Sequence, residues 1–163
     1  MIPHRQEQIL LRKATRQDVL AIIHLLSEDP LGSQRERYQQ PLSQKYYDAF
    51  QEIDDDQNNE LLVAEVNGKI IGILQLTFIP YLTFQGGKRA QIEAVHVDGR
   101  YRNQGIGNRM IEWAILRARQ ENCHLVQLTT NKQRTDAHRF YERFGFVASH
   151  EGMKLALRSL KKL

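Results

Sequence analysis

Between Ile92 and Gly107 the chain reads Ile-Glu-Ala-Val-His-Val-Asp-Gly-Arg-Tyr-Arg-Asn-Gln-Gly-Ile-Gly. A stretch with strand character runs into a short turn holding Gly105 and Gly107, and helical spacing begins at once. Such a junction suits phosphate. The first amides of a helix lack intrahelical partners, the dipole is positive there, and glycine lets an anion approach the backbone. Two other phosphate loops fail on the same residues. A P-loop ends in Gly-Lys-Ser/Thr, whereas Gly107 is followed by Asn108 and Arg109; a dinucleotide fingerprint needs a third glycine where Met110 stands. What remains is Arg-x-x-Gly-x-Gly: Arg102, Asn103, Gln104, Gly105, Ile106 and Gly107. A plain helix start would favour Ser, Thr, Asp or Asn as its cap.

Other reactive side chains are read against simpler roles. Glu93 lies two residues before Val95, so strand alternation puts both on one face. A buried carboxylate there would have a raised pKa and could act as a base; the simpler role is an ion pair with Arg89. His96 alternates to the other face and reads as structural. Tyr141 falls in an apolar stripe with Ala137, Phe140 and Phe144, which by spacing alone is a core stripe. Cys123 is the single cysteine, so no internal disulfide forms, and only His124 stands near it; a metal site is not expected. The remaining histidines on amphipathic elements receive no role.

The elements that position these residues follow from periodicity. Ile9 to Lys13 reads as a strand. Thr15 opens a Thr-x-x-Asp cap with Asp18, and Val19, Ile22, Ile23 and Leu26 then form one helical face. Tyr46, Tyr47, Phe50 and Ile53 make a second helical stripe, and the acidic run from Asp54 to Asn59 reads as a solvated loop. Leu61 to Val66 and Lys69 to Phe78 are strands joined by Asn67-Gly68, the preferred two-residue hairpin turn. Pro80 ends the second. Gln85 to Lys88 is a turn, and Arg89 to Val97 is the third strand of the meander. Gly105 to Asn122 is helical, with Met110, Ile111, Ala114, Ile115 and Ala118 inward. His124 to Thr129 is a strand, Thr135 to Phe144 a helix stopped by Gly145, and Phe146-Val147 and Met153 to Leu157 two final short strands. The expected fold is α/β of the α+β type. A central mixed, mostly antiparallel sheet is flanked by helices in the order β-α-α-β-β-β-α-β-α-β. No linker or repeat divides the chain, so residues 1–163 are expected to form one domain.

Composition narrows the function classes. The 163 residues are 41% hydrophobic and 26% charged, as in an ordinary globular protein. No apolar run approaches a membrane span, and Met1 to Gln6 lack the apolar core of a signal peptide, so a cytoplasmic location is expected. The net charge of +4 invites a polyanionic partner. Nucleic acid is disfavoured, because no helix-turn-helix with a basic recognition helix and no basic–aromatic RNA motif is present. A phosphate-rich cofactor remains, beside a solvated mixed-charge surface that accounts for most of the basic residues.

The stretch from Arg102 to Gly107 resembles the acyl-CoA pyrophosphate loop of the GNAT superfamily. The strand Val95-x-Val97 precedes it, a helix follows, and a tyrosine stands at the family's spacing. The resemblance spans roughly residues 8 to 157, with Gly99 where proline is common and Asn103 where glycine is common. It implies an N-acetyltransferase that moves the acetyl group of acetyl-CoA directly to an amine, without an acetyl-cysteine. It implies that Val95, His96 and Val97 offer backbone groups to pantetheine and the acetyl carbonyl, and that Arg102 to Gly107 hold pyrophosphate. An amide aimed at a developing oxyanion is worth about 3–4 kcal/mol in rate terms.

The segment Asn131 to Phe146 resembles the family's Asn-x-x-Ala-x-x-Phe-Tyr-x-x-x-Gly-Phe pattern, with Arg134 where asparagine is common; Asn131 is the substitute contact. The same resemblance makes Tyr141 the general acid for the departing thiolate, because a phenol of pKa near 10 can protonate it. Glu93 resembles a glutamate of glucosamine-phosphate acetyltransferases and is the candidate base. The block from Thr129 to Tyr141 resembles aminoalkylphosphonate acetyltransferases.

In this superfamily the acceptor lies near the early helices and meander loops, here Leu31 to Phe50 and Tyr81 to Gly87. Arg35, Arg37, Tyr38, Tyr46, Tyr47, Tyr81 and Phe84 there suit a small anionic or sugar-like amine. A CoA-binding regulator without turnover would need neither Tyr141 nor Glu93. Proteins of this type are often homodimers, and the edge of a final strand is the surface such pairing would use.

Overall fold

The fold grows from one hairpin. Asn67 and Gly68 both adopt positive φ, 50° and 79°, as a two-residue turn between right-twisted strands requires. They join β2 (Asn59–Val66) to β3 (Lys69–Pro80). β1 (Leu10–Lys13) adds antiparallel to β2, and β4 (Lys88–Val97) antiparallel to β3. β5 (Leu125–Leu128) runs parallel to β4, which makes the sheet order β1-β2-β3-β4-β5. The computed structural model describes residues 8–30 and 32–157. Met1 to Gln6 and Leu31, which enter the readings above, lie outside the described residues.

Each sheet face carries its own core. On one face, α1 (Val19–Ser27) and α2 (Gln44–Asp55) pack against Leu61, Val63, Ile70 and Ile73. The predicted cap precedes α1: the Thr15 amide and hydroxyl donate to the Asp18 carboxylate at 2.7 and 3.0 Å. The Arg12 guanidinium grips the same carboxylate at 2.7 and 2.9 Å. Leu25 turns fully inward, whereas Leu26 is only partly covered. The stripe Tyr46, Tyr47, Phe50 and Ile53 forms as expected, but α2 runs on through Asp54 and Asp55, which the sequence reading leaves in a loop. Acidic side chains oppose a helix C-terminus; the Lys13 ammonium, 2.8 Å from Asp54, offsets that cost.

The other face is covered by α4 (Ile106–Gln120), which follows α3 (Thr83–Gly86), a single turn with Phe84 and Gln85 in left-handed conformation. Met110, Ile111, Ala114 and Ala118 of α4 pack on Leu62, Leu74, Leu76, Ala90 and Ile92. Full burial of Met110 or Ile111 stabilises by about 2 kcal/mol each. Met110 also needs Gly72 beneath it, since a Cβ there would meet its sulfur at 2.9 Å. α5 (Thr135–Glu142) lies on this face too, with Phe140, Tyr141, Phe144 and Phe146 against the core.

The two final strands do not form. Phe146-Val147 and Met153 to Leu157 have no ladder partner among the described residues, and Met153, Leu155 and Leu157 are 85–97% exposed. Alternating apolar residues there do not lie against β5, so the sheet ends with β5.

Beyond β4, Asp98 anchors the turn that leads to α4. Its carboxylate is buried and accepts from the Arg100 amide, Nε and Nη2 at 2.7–2.9 Å and from Lys69 Nζ at 3.4 Å. The Arg100 guanidinium therefore holds this carboxyl well below the usual carboxylate range. A depressed pKa contributes stability above the ordinary value near 4, and loses it as pH falls through the folded value. Asp98→Asn should lower unfolding free energy by about 2 kcal/mol at pH 7. Urea titrations at pH 7 and pH 3 should show the gap between wild type and variant narrowing in acid.

Candidate active site

Parallel pairing of β4 with β5 covers only Arg89 to Ile92 against Leu125 to Leu128. Beyond Ile92 the strands part, and the backbone edge of Glu93 to Val97 on that side meets no strand among the described residues. Ala94 sits within this edge at φ 53°, and the ladder to β3 slips by one residue: His96 lies opposite Ile73, while Glu93 lies opposite Gln75. That extra residue is a β-bulge, which re-aims the side chains after it.

The bulge overturns the reading of Glu93. Regular alternation places Glu93 with Val95. Instead Val95 and Val97 pack against the α4 core, and His96 lies opposite Ile73 of the α1/α2 core. Glu93, paired with Gln75 on the same face as Ile73, thus shares the α1/α2 face with His96. Glu93 is also exposed rather than buried, and it forms no ion pair with Arg89. Arg89 lies over the Tyr81 ring instead. His96 is half-buried, and burial lowers its pKa below the ordinary imidazole value; the charges of Asp29, Arg102, Arg134 and Glu28 act on it.

The turn after β4 presents backbone N–H groups. Gly99–Tyr101 form one 3-10 turn, Asn103 has φ 60° and Gly105 φ 79°, and α4 begins at Ile106. Its first hydrogen bond runs from the Arg109 amide to the Gly105 carbonyl at 3.1 Å. The amides from Asn103 to Asn108 therefore precede any helical partner and sit where the dipole is positive. Arg102, Asn103, Gln104 and Gly105 are exposed and Ile106 is buried below them. The Arg102 Nε donates to the Val97 carbonyl at 3.3 Å. A Cβ on Gly107 would lie 3.3 Å from Phe140 Cζ, so this glycine lets α5 close on the first turn of α4.

Tyr141 follows Phe140 on α5. Its ring meets Phe140 and Phe146 edge-on, with centroids 5.1 and 5.9 Å away. The ring belongs to the core stripe, while its hydroxyl makes no hydrogen bond among the described residues. Burial raises its pKa above 10, with Arg134 acting in the opposite sense. Asn131 Oδ1 accepts from the Gln133 amide at 2.9 Å, which shapes the turn before α5.

Sequence reasoning missed a contact across the site. Arg134 Nη2 donates to Asp29, 3.0 Å from Oδ2, and so ties the start of α5 to the segment after α1. It missed Asp98 as well, although Asp-Gly-Arg at a strand end is a turn signal. Of the two expected acceptor segments, the one after α1 adjoins Asp29, the partner of Arg134, in the chain. Tyr81 to Gly87 does not: it precedes β4, and lies by the first residues of β4 and β5, away from their parting. There Phe84 stacks on His124 at 4.7 Å.

Residues 21–146 match the model of the acetyltransferase (GNAT) family. This chain belongs to the GNAT family. It is an acetyl-CoA-dependent acyltransferase. Among its GNAT relatives, the aminoalkylphosphonate N-acetyltransferase of Salmonella typhimurium is 30% identical over 154 residues, 92% of this chain and 95% of that protein. The glucosamine 6-phosphate N-acetyltransferase of Trypanosoma brucei brucei is 33% identical over 90 residues, 55% of this chain and 59% of that one. A Bacillus halodurans C-125 structure described as a transcriptional regulator has a TM-score of 0.89 at 52% identity, covering 91% of this chain and 99% of that one.

The residues present fit acetyl-CoA on two counts: a row of amides without helical partners, and a strand edge left open beside it. Among the described residues no three or more His, Cys, Asp or Glu side chains gather as a metal site, and no helix is long and apolar enough to cross a membrane. Replacing Gly105 with valine forces a β-branched residue to positive φ, and Gly107→Leu drives into Phe140. Isothermal titration should show at least a tenfold loss of acetyl-CoA affinity in the double variant, with circular dichroism confirming that it folds.

Proposed function

We propose that this GNAT enzyme transfers the acetyl group of acetyl-CoA directly to the primary amine of a small molecule bearing a phosphonate or phosphate. The observation that carries the reading is the open edge of β4 beside the amides of Asn103 to Asn108. In this reading Arg102, Asn103, Gln104, Gly105, Ile106 and Gly107 hold pyrophosphate mainly through main-chain N–H groups. Val95, His96 and Val97 present backbone to the pantetheine arm and the acetyl carbonyl, with Asn131 at its far side. The thioester supplies an acyl group already activated for attack.

Tyr141 acts as general acid. Its raised pKa keeps the phenol protonated through neutral pH, so it can give its proton to the departing sulfur. Glu93 faces the acceptor side of the sheet and is the sequence-based candidate for receiving the amine's proton, through water where it is exposed. The names of the Salmonella and Trypanosoma relatives support an acceptor with an oxyanion on phosphorus. Arg35 and Arg37, in the segment after α1, are exposed and would meet such an anion.

Cys123 lies after α4, before β5, at the end of β5 away from the parting, and burial raises its thiol pKa. An acyl-cysteine route would need a thiolate there. The description of the Bacillus halodurans protein supports a second reading, a DNA-bound regulator, but that reading gives no task to the unbonded hydroxyl of Tyr141.

Isothermal titration with acetyl-CoA and CoA, followed by a thiol-release screen of amines including 2-aminoethylphosphonate and glucosamine 6-phosphate, tests the proposal. Micromolar binding and thiol release are expected; a folded protein that binds neither CoA species sinks it. Tyr141→Phe should lower kcat by about 10²-fold or more with acetyl-CoA affinity retained. Cys123→Ala should keep wild-type turnover. Mobility shift of nonspecific DNA at moderate salt would favour the regulator.

A further inference from the structure

The bulge at Ala94 decides what His96 faces. In an unbroken strand His96 would share the side of Ile92 and enter the α4 core. The extra residue turns it to the other face, opposite Ile73, at the parting of β4 from β5. A non-glycine residue at φ 53° is a local strain, and such strain marks functional sites more often than chance. The imidazole is half-buried and has no hydrogen-bond partner among the described residues. The charges around it come from each neighbouring element: Asp29 and Glu28 at the end of α1, Arg102 in the turn before α4, and Arg134 at the start of α5. Glu93 lies on its own strand, across the bulge. Arg134 also acts on Tyr141, and its guanidinium is held by Asp29 at 3.0 Å.

We propose that His96 is a catalytic residue whose imidazole takes the proton released by the acceptor nitrogen as it is acylated. The proposal rests on the acetyltransferase reading above. The acceptor enters as the free amine. Its lone pair forms the N–C bond, which makes the nitrogen acidic, and His96 accepts one N–H proton. Tyr141 gives its phenolic proton to sulfur as the C–S bond breaks with its electron pair on sulfur. His96 then returns a proton to solvent and Tyr141 regains one, so the enzyme is restored and the products are an amide and a thiol. His96 thus takes the place of the sequence-based candidate Glu93, which is exposed on the same face. Burial keeps His96 neutral at pH 7, the form that can accept a proton.

The test joins a titration to kinetics. Wild-type protein with ¹³C-labelled histidine gives the pKa of His96 directly by NMR, assigned by its loss in His96→Gln. The rate of thiol release with 2-aminoethylphosphonate or glucosamine 6-phosphate is followed from pH 5 to 9. The expected kcat/KM profile, referred to the concentration of free amine, falls on the acid side with an apparent pKa below 6.5 that matches the NMR value. His96→Gln should bind acetyl-CoA within about twofold of wild type, lose about 10²-fold or more in kcat at pH 7 and lose the acid limb. A His96→Gln variant within about threefold of wild type with the limb intact overturns the proposal. So does an acid limb that disappears in Glu93→Gln instead, or a kinetic pKa that departs from the NMR value. A wild type that releases no thiol with any amine in the screen overturns the acetyltransferase reading itself, a result distinct from failure in the variant alone.

Discussion

Four residue pairs of parallel ladder hold β5 to β4, and the chemistry of this protein depends on where that ladder stops. Continued pairing would satisfy the β4 edge and close the sheet. Its end at Ile92 leaves the β5-side backbone groups of Glu93 to Val97 without a strand partner among the described residues, and half-buried backbone groups need one. The slip at Ala94 belongs to the same event, because a strand that leaves its neighbour must bend. One irregularity therefore opens an edge and re-aims Val95, His96 and Val97 relative to Glu93.

The irregular edge needs firm ends. On the far side of Val97, buried Asp98 accepts the Arg100 guanidinium and so fixes the turn that feeds α4. Arg134 and Asp29 join segments 105 residues apart. These contacts serve preorganisation: amides already aimed need no reorganisation when an anion arrives. Neither ion pair has to be worth much as a surface salt bridge to do this; Asp98 has the greater weight because its carboxylate is out of water.

Much of the fold is legible locally. Asn67-Gly68 specifies its turn by φ, Thr15 and Asp18 their cap by reach, and the stripes of α1, α2 and α4 their inward faces by period. The Arg102 to Gly107 stretch stands out because two glycines at a helix start allow close backbone approach. The bulge is not legible, since Ala94 has no residue-type signature for positive φ; alternation then misplaces Glu93 and undervalues His96. Met153, Leu155 and Leu157 alternate as a strand would, but alternation does not supply a neighbour. Tyr81 to Gly87 contains suitable aromatic residues, yet chain direction along β4 sets it at the other end of the sheet. The Asp29–Arg134 link obeys no local spacing at all.

Gly107 touches two subjects at once. A Cβ there would press on Phe140 at 3.3 Å, so a side chain at 107 is felt on both α4 and α5. Tyr141 is the residue next to Phe140. Drift at position 107 would thus displace an anion cradle and a phenol together, and the two cannot be tuned separately by inheritance. Selection on either property becomes selection on both, which ties the spacing between a glycine in one helix and an aromatic pair in another.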